Sequence, residues 1–210
     1  SLRENVQRAG WYTTIEAGIT VHWFPVKYSN HMSYINRIKA FFTFAFASSL
    51  RAASIRSDII FATSTPLTIA LPAIYASRKL KVPMVFEVRD LWPELPIAIR
   101  ALRNPLAIAM AKRLESLAYR NSKAIVALSP GIRMGILKSG YPSSRIAVVP
   151  NSSDNRQFSI QNDAAKAWRK TRPWLGDHPL LVYAGAFGKI NGVAPVVAFA
   201  IFDIFNHFFV

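Results

Sequence analysis

Four apolar runs, each dense in β-branched residues and closed by turn or capping residues, constrain this chain more than any other feature. They cover residues 58–63, 82–88, 124–128 and 146–149. Their apolar residues are successive rather than alternating, the pattern of strands covered on both faces. Helical stretches lie between them. Ser64-Thr65-Pro66 offers N-cap candidates and an N1 proline for a helix reaching Arg78-Lys79. Asn104-Pro105 repeats the device for a helix through Tyr119, with an apolar stripe of Leu106, Met110, Leu114 and Leu117. After Ser129-Pro130 a shorter helix is expected to end at Ser139-Gly140, with Gly140 at C′ and Pro142 just beyond. Strand, capped helix, strand at this spacing predicts an α/β fold with a doubly wound, mostly parallel sheet and right-handed crossovers.

The pattern dissolves over residues 151–177 into Ser, Asn, Asp, Gln, Lys and Arg, which reads as an interdomain connection with one short helix. A buried strand is expected to restart over 179–184, followed directly by Gly185-Ala186-Phe187-Gly188-Lys189. The expected organisation is a first domain over 1–150, a connection over 151–178 and the start of a second domain over 179–210. Ser1-Leu2-Arg3-Glu4 carries charge at once with no apolar core behind it, so it reads as the interior of a longer protein and not as a leader. The apolar stretch 40–50 is too short to span a bilayer, which takes about 20 residues. The tail over 193–210 is nearly long enough, but Pro195, Asp203, Asn206 and His207 make it a poor spanning helix.

With 210 residues and 51% hydrophobic content, the chain can bury a substantial core. Its 26 Lys and Arg against 11 Asp and Glu give a net charge of +15, which predicts attraction to nucleic acid, acidic headgroups or phosphorylated substrates without choosing among them. The absence of cysteine excludes disulfides, thiolate zinc sites and a Cys nucleophile. His22, His31, His178 and His207 show no metal-ligand spacing and no Asp-x-Asp pair offers a carboxylate clamp, so metal-independent chemistry is expected.

Chemistry is expected at the strand ends, where open α/β sheets hold ligands. In Phe86-Glu87-Val88-Arg89-Asp90-Leu91-Trp92-Pro93-Glu94, four ionisable side chains follow an apolar run. The plain alternative is a salt-bridge cluster that fixes a turn. If the strand continues, alternation sends Glu87 and Arg89 to one side and Val88 and Asp90 to the other. Ser64-Thr65 and Ser129-Pro130-Gly131 occupy strand-to-helix junctions, where free amides favour anions or hydroxyl-rich ligands, unless the hydroxyls are simple N-caps. Gly185-x-x-Gly188-Lys189 can bring amides and an ammonium to a phosphate, although it is neither a Walker pattern nor a full dinucleotide fingerprint. Over 34–56, helical spacing collects Ile35, Ile38, Phe42, Ala45, Phe46 and Ser49 on a core face and sets Phe44 opposite, near Arg37 and Arg51, a pattern of helices at a membrane interface, unless this is an ordinary amphipathic helix with one exposed phenylalanine.

At these residues the sequence resembles a known family. Thr63-Ser64-Thr65-Pro66-Leu67-Thr68, the nonapeptide from Phe86 to Glu94, Ala127-Leu128-Ser129-Pro130-Gly131, Val149-Pro150-Asn151, and Val182-Tyr183-Ala184-Gly185-Ala186-Phe187-Gly188-Lys189-Ile190-Asn191-Gly192 together are similar to the family 4 glycosyltransferases of bacterial surface polysaccharide synthesis. The likeness is greatest to the O-antigen and colanic-acid branch with its fucosamine transferases. The resemblance implies a retaining transferase of two facing Rossmann-like domains, this chain holding most of the acceptor half and the threshold of the nucleotide-sugar half. It implies a nucleotide-sugar donor, UDP-linked, no metal, a polyprenyl-diphosphate-linked glycan as acceptor, and a cytoplasmic site peripheral to the anionic inner membrane. Asp90, Arg89 and Glu87 then become the catalytic candidates. Ser64, Thr65, Glu94, Ser129, Gly131 and Asn151 become acceptor-binding, and Gly185, Gly188, Lys189 and Asn191 donor-binding. The family's opening strand and Gly-rich loop, its paired-glutamate motif and its donor-loop arginine are absent, which implies that the chain by itself is inactive.

Two other readings stand beside it. A sugar-nucleotide epimerase of the same architecture would release a modified nucleotide sugar without an acceptor. A non-catalytic basic module would bind nucleic acid, but the aromatics lie mostly in apolar stripes and the cations are dispersed, so no nucleic-acid partner is expected.

Overall fold

The computed structural model describes residues 10–29, 32–156, 162–176, 180, 182–185, 195 and 198. The chain divides into two compact units, Ser1–Asn151 and Ser152–Val210.

The first unit opens on an antiparallel hairpin of β1 (Tyr12–Glu16) and β2 (Ile19–Trp23), in register from Tyr12 opposite Trp23 to Glu16 opposite Ile19. Both turn residues, Ala17 and Gly18, have positive φ (+50° and +81°), the geometry that matches the twist of a two-residue hairpin. Across the strands Trp23 Nε1 donates to Thr14 Oγ1 at 2.8 Å and Tyr12 stacks on Trp23.

Ser33 then caps α1 (Tyr34–Ala52), its hydroxyl accepting the Asn36 amide. The face of this helix agrees with the expected one at Ala45 and departs from it at Ile35, Phe42 and Phe46. Ala40 and Ala45 are buried and Phe44 half-buried, whereas Ile35, Phe42, Phe46 and Leu50 are exposed, Phe46 at 71%. Arg37 and Arg51 turn inward with Phe44. Arg51 bonds His22 at 3.1 Å and lies 6.0 Å from the Trp11 ring centroid, so the face expected to meet a membrane is half-buried and partly engaged within the first unit. The helix is apolar almost all round, and its small alanines, not its phenylalanines, allow the close approach to its neighbour.

The sheet follows. β3 (Ile60–Thr63), β4 (Met84–Val88), β5 (Ala124–Ala127) and β6 (Ile146–Val148) are parallel and lie in sequence order. Their lengths fall within the four expected runs, trimmed at the ends. α2 (Ala70–Leu80), α4 (Pro105–Asn121) and α5 (Pro130–Lys138) return the chain between successive strands. Strand alternation sends Met84, Phe86, Val88, Ile125 and Ala127 into one core with Ile74, Ala118, Tyr119 and Ile136 from these helices. Burying Phe86, at the centre of that core, contributes about 3 kcal/mol.

On the other side of the sheet Phe61 and Thr63 are exposed, and Val85, Glu87 and Val126 are half-buried. Leu114 of α4 packs inward with Ala118 and Tyr119, but Leu106, Met110 and Leu117 of the expected stripe are exposed. Again alanine, here Ala118, is what lets the helix approach the sheet.

The caps explain the helix limits. Asn104 Oδ1 accepts the Leu106 and Ala107 amides, and Ser129 Oγ accepts the Ile132 amide at 3.1 Å. Gly140, at φ +83°, ends α5 as a C′ residue. Ser64 and Thr65 do not cap α2: a 3-10 turn over Leu67–Ile69 precedes it, with Pro66 at its N-cap and no side-chain cap bond.

In the second unit, α6 (Asn162–Lys170) and a 3-10 turn over Pro173–Leu175 fall within the expected connection. The strand expected over 179–184 is not formed at the described residues 180 and 182–184. A strand exists only when paired, and the described residues of this unit include no neighbouring strand. Gly188, Lys189 and Asn191 lie outside the described residues, as does the tail over 193–210 apart from 195 and 198. No helix among the described residues is long and apolar enough to cross a membrane.

Candidate active site

Parallel strands in register bring the ends of β3, β4, β5 and β6 to one edge of the sheet, with Thr63 beside Glu87, Val88 beside Ala127 and Ala127 beside Val148. The loops leaving that edge hold most of the candidate residues of the first unit. Those after β3 and β4 are bound together. The Ser64 amide donates to the Glu87 carbonyl at 2.8 Å, and the Ser64 hydroxyl accepts the Arg89 amide at 2.9 Å. Ser64 is only 2% exposed. Its polar groups hold backbone, so it positions Arg89 and Asp90 from behind.

The side chains on either side of Ser64 reach two different carboxylates. Thr63 Oγ1 donates to Glu87 Oε2 at 2.5 Å on the open face of the sheet, and Thr65 Oγ1 donates to Asp90 Oδ2 at 3.3 Å. β4 ends at Val88, so the condition for sending Glu87 and Arg89 to one side, a strand continuing through Asp90, is not met. The chain turns instead and presents Asp90 towards the β3 loop, leaving Arg89 exposed.

Thr65 itself stands at φ +97°, a conformation rare for a β-branched residue. Such a backbone costs about 1–3 kcal/mol and persists where its surroundings over-determine it, most often at functional sites. The Thr65-Pro66 and Trp92-Pro93 peptides are both cis, so each of the two loops contains one.

The β4 loop is anchored below Asp90. Leu91 and Trp92 pack on the core, and Pro93 is among its most buried side chains. Gly135 of α5 makes room for this: a Cβ there would collide with the Leu91 side chain. Sequence reasoning missed this support, although a glycine inside an otherwise apolar helix was the available signal. Glu94 is exposed and opens the short helix α3 (Glu94–Ala98), where its charge complements the helix N-terminus.

At the next strand end Ser129 caps α5, and Gly131 is exposed in the first turn. A methyl group at Gly131 would meet only Ser129 Oγ, at 3.7 Å, an ordinary contact. Asn151 is exposed beyond β6. Glu115 is a titratable neighbour that sequence reasoning did not identify. Burial pushes its carboxyl up to about 7, a hydrogen bond from Tyr119 opposes the rise, Glu94 adds to it and Lys112 opposes it. Tyr119 is raised above its ordinary value, chiefly by burial and then by Glu115. Among the described residues no three metal-binding side chains come together. A hollow on another part of the surface is lined by Tyr119, Ser122, Tyr141 and Arg145, where Tyr141 Oη donates to the Ser122 carbonyl at 3.0 Å.

A parallel sheet with linked loops at its strand ends is the setting in which α/β proteins bind ligands. Residues 5–152 match the family described as a glycosyl transferase 4-like domain. The chain belongs to this family. The glycosyl transferase 4-like domain thus includes the β3, β4, β5 and β6 loops and ends within one residue of the first compact unit. A comparison with curated proteins finds no match.

Solved structures with some likeness include Anabaena Alr3699/HepE in complex with UDP-glucose, at TM-score 0.46 and 17% identity over 64% of this chain and 37% of that one. The same Anabaena protein in complex with UDP gives 0.44 and 13% over 70% and 40%, and with UDP and glucose 0.43 and 14% over 71% and 40%. The chain therefore spans well under half the length of those structures.

Proposed function

We propose that this glycosyltransferase domain receives the acceptor in the transfer of a sugar, with retention, from a nucleotide diphosphate to a polyprenyl-diphosphate-linked glycan. The donor is UDP-linked and the setting is surface polysaccharide synthesis at the cytoplasmic side of an inner membrane, in the O-antigen and colanic-acid branch of the family. The observation that carries the reading is the Asp90 carboxylate at the strand-end edge, reached by a Thr65 held at positive φ.

In the transfer, a bond forms between the acceptor oxygen and the anomeric carbon on the same face from which the diphosphate departs, so the configuration is kept as the bond from that carbon to the diphosphate breaks. Asp90 orients the acceptor hydroxyl and takes up its proton. Arg89, exposed beside it, pairs with an acceptor phosphate, a charge-assisted contact suited to guanidinium. Glu87 and Glu94 flank the same edge. The first-turn amides of α5 at Gly131, with Ser129 and Asn151, meet acceptor hydroxyls or phosphate. Negative charge accumulating on the leaving diphosphate falls to Gly185, Gly188, Lys189 and Asn191, and stabilising that charge is commonly the largest catalytic contribution.

The test is direct binding. The protein is titrated with a short-chain polyprenyl diphosphate sugar, with UDP-sugar absent. Wild type binds, Arg89→Ala weakens binding and a free monosaccharide does not compete. Equal affinity of Arg89→Ala and wild type would remove the acceptor assignment. Formation of a modified nucleotide sugar with no acceptor present would replace it with epimerisation.

A further inference from the structure

α6 sorts its side chains at helical spacing. Ala164, Ala165, Ala167 and Trp168 gather on one side, and Lys166, Arg169, Lys170 and Asp163 on the other. The apolar side is not packed away: Ala164, Ala167 and Trp168 are exposed. Just beyond the helix, Trp174 is 79% exposed. Between the two tryptophans, Arg172 places its guanidinium 4.0 Å from the Trp168 ring centroid and bonds Thr171 Oγ1 at 2.7 Å. Residues 166–172 carry four cations and no carboxylate.

A helix with low mean hydropathy, one apolar side bearing Trp and one strongly basic side is suited to lie in the plane of a lipid interface. Indole rings settle at headgroup level, and cations beside them gain from anionic lipid. We propose that α6 and the Pro173–Leu175 turn dock on an anionic bilayer, Trp168 and Trp174 entering the headgroup layer while Lys166, Lys170 and Arg172 meet lipid phosphates.

Two alternatives fit less well. A single-stranded nucleic acid would be met by aromatics and several cations on one shared side, whereas here Arg172 lies against Trp168 but Lys166, Arg169 and Lys170 take the opposed side. The exposed stripe of α1 is more apolar, but Arg37 and Arg51 of that helix turn inward. The docking site names the surface on which the proposed lipid-linked acceptor is met, and to that extent it rests on the acceptor reading.

Sedimentation with vesicles tests it, using phosphatidylcholine with and without phosphatidylglycerol. Wild type pellets only with the anionic vesicles, and its tryptophan emission shifts to the blue. Lys166→Ala/Lys170→Ala lowers the partition coefficient by about thirtyfold. Trp168→Ala/Trp174→Ala reduces both pelleting and the emission shift. Alanine favours the helix, so neither variant acts by unfolding it, and far-ultraviolet circular dichroism checks this. Pelleting of both variants equal to wild type overturns the proposal, as does retention on a single-stranded oligonucleotide in preference to vesicles. A protein that pellets with vesicles but does not bind the polyprenyl diphosphate sugar keeps the docking site and loses the acceptor reading. The opposite result keeps the acceptor reading and removes the docking site.

Discussion

The Ser64 hydroxyl accepts the Arg89 amide at 2.9 Å, so a buried side chain from the end of β3 fixes the backbone that presents Arg89 and Asp90 at the end of β4. This contact turns two neighbouring loops into one unit. Removing it leaves a donor without its partner next to the core, which costs about 1–3 kcal/mol. Ser64→Ala is therefore expected to lower the denaturation midpoint and weaken acceptor binding together. A midpoint and an affinity both equal to wild type would show that the loops hold their places without the clasp.

Thr65 separates backbone strain from side-chain function. Glycine tolerates φ +97°, so Thr65→Gly relieves strain while deleting the hydroxyl that reaches Asp90. Its stability is expected to stay level or rise by up to about 1 kcal/mol, while acceptor binding falls. Denaturant melts beside binding isotherms give both signs. A variant that binds as well as wild type would make the Thr65-Asp90 contact incidental.

The two glycines of α5 should behave oppositely. Gly131→Ala meets only an ordinary contact and gains helix propensity of about 0.5–1 kcal/mol, so any loss of binding it causes reports a ligand approaching that turn. Gly135→Ala drives a methyl group into Leu91 and is expected to destabilise by about 1–3 kcal/mol, shifting the Asp90 loop. Thermal melts of the two variants suffice. Equal melting temperatures would contradict the packing described.

Much of the first unit was legible in the sequence because successive apolar residues in strands and Ser, Asn or Pro at helix starts leave local marks, although one face of the sheet is more open than that pattern implied. Asn104, Ser129 and Gly140 act as their positions suggest. Helix faces were not legible. In α1 and α4 apolar residues surround the axis, so periodicity found Ala45 but did not reveal that Ala40 and Ala118 would pack inward and Phe46 and Leu106 outward. The hairpin was missed although two β-branched segments stand two residues apart, because the first turn residue is alanine rather than the usual Asn or Asp. At the candidate site, the ionisable residues after Phe86 stood out as charge at a strand end. The roles of Ser64 and Gly135 depend on contacts between distant segments and left no such mark.

Glu115 provides a pH test. Its carboxyl is raised to about 7, first by burial and also by Glu94, so the folded protein holds a proton there that the unfolded chain releases above the ordinary glutamate range. The contribution of Glu115 to stability is therefore greatest at acidic pH and is lost as pH rises from about 4.5 to about 7. Glu115→Gln is expected to remove that slope and to be the more stable form at pH 8. Melting temperatures across that range check it. A wild-type slope unchanged in the variant would assign the titration elsewhere.

Asp90 carries the account. The most direct measurement is acceptor affinity and sugar transfer from a UDP-sugar for Asp90→Asn beside wild type. The substitution is isosteric, so the fold and the Thr65 contact survive, and transfer is expected to fall by about 10²–10⁴ with acceptor affinity changed far less. Transfer at the wild-type rate would contradict the central claim that this carboxylate handles the acceptor hydroxyl.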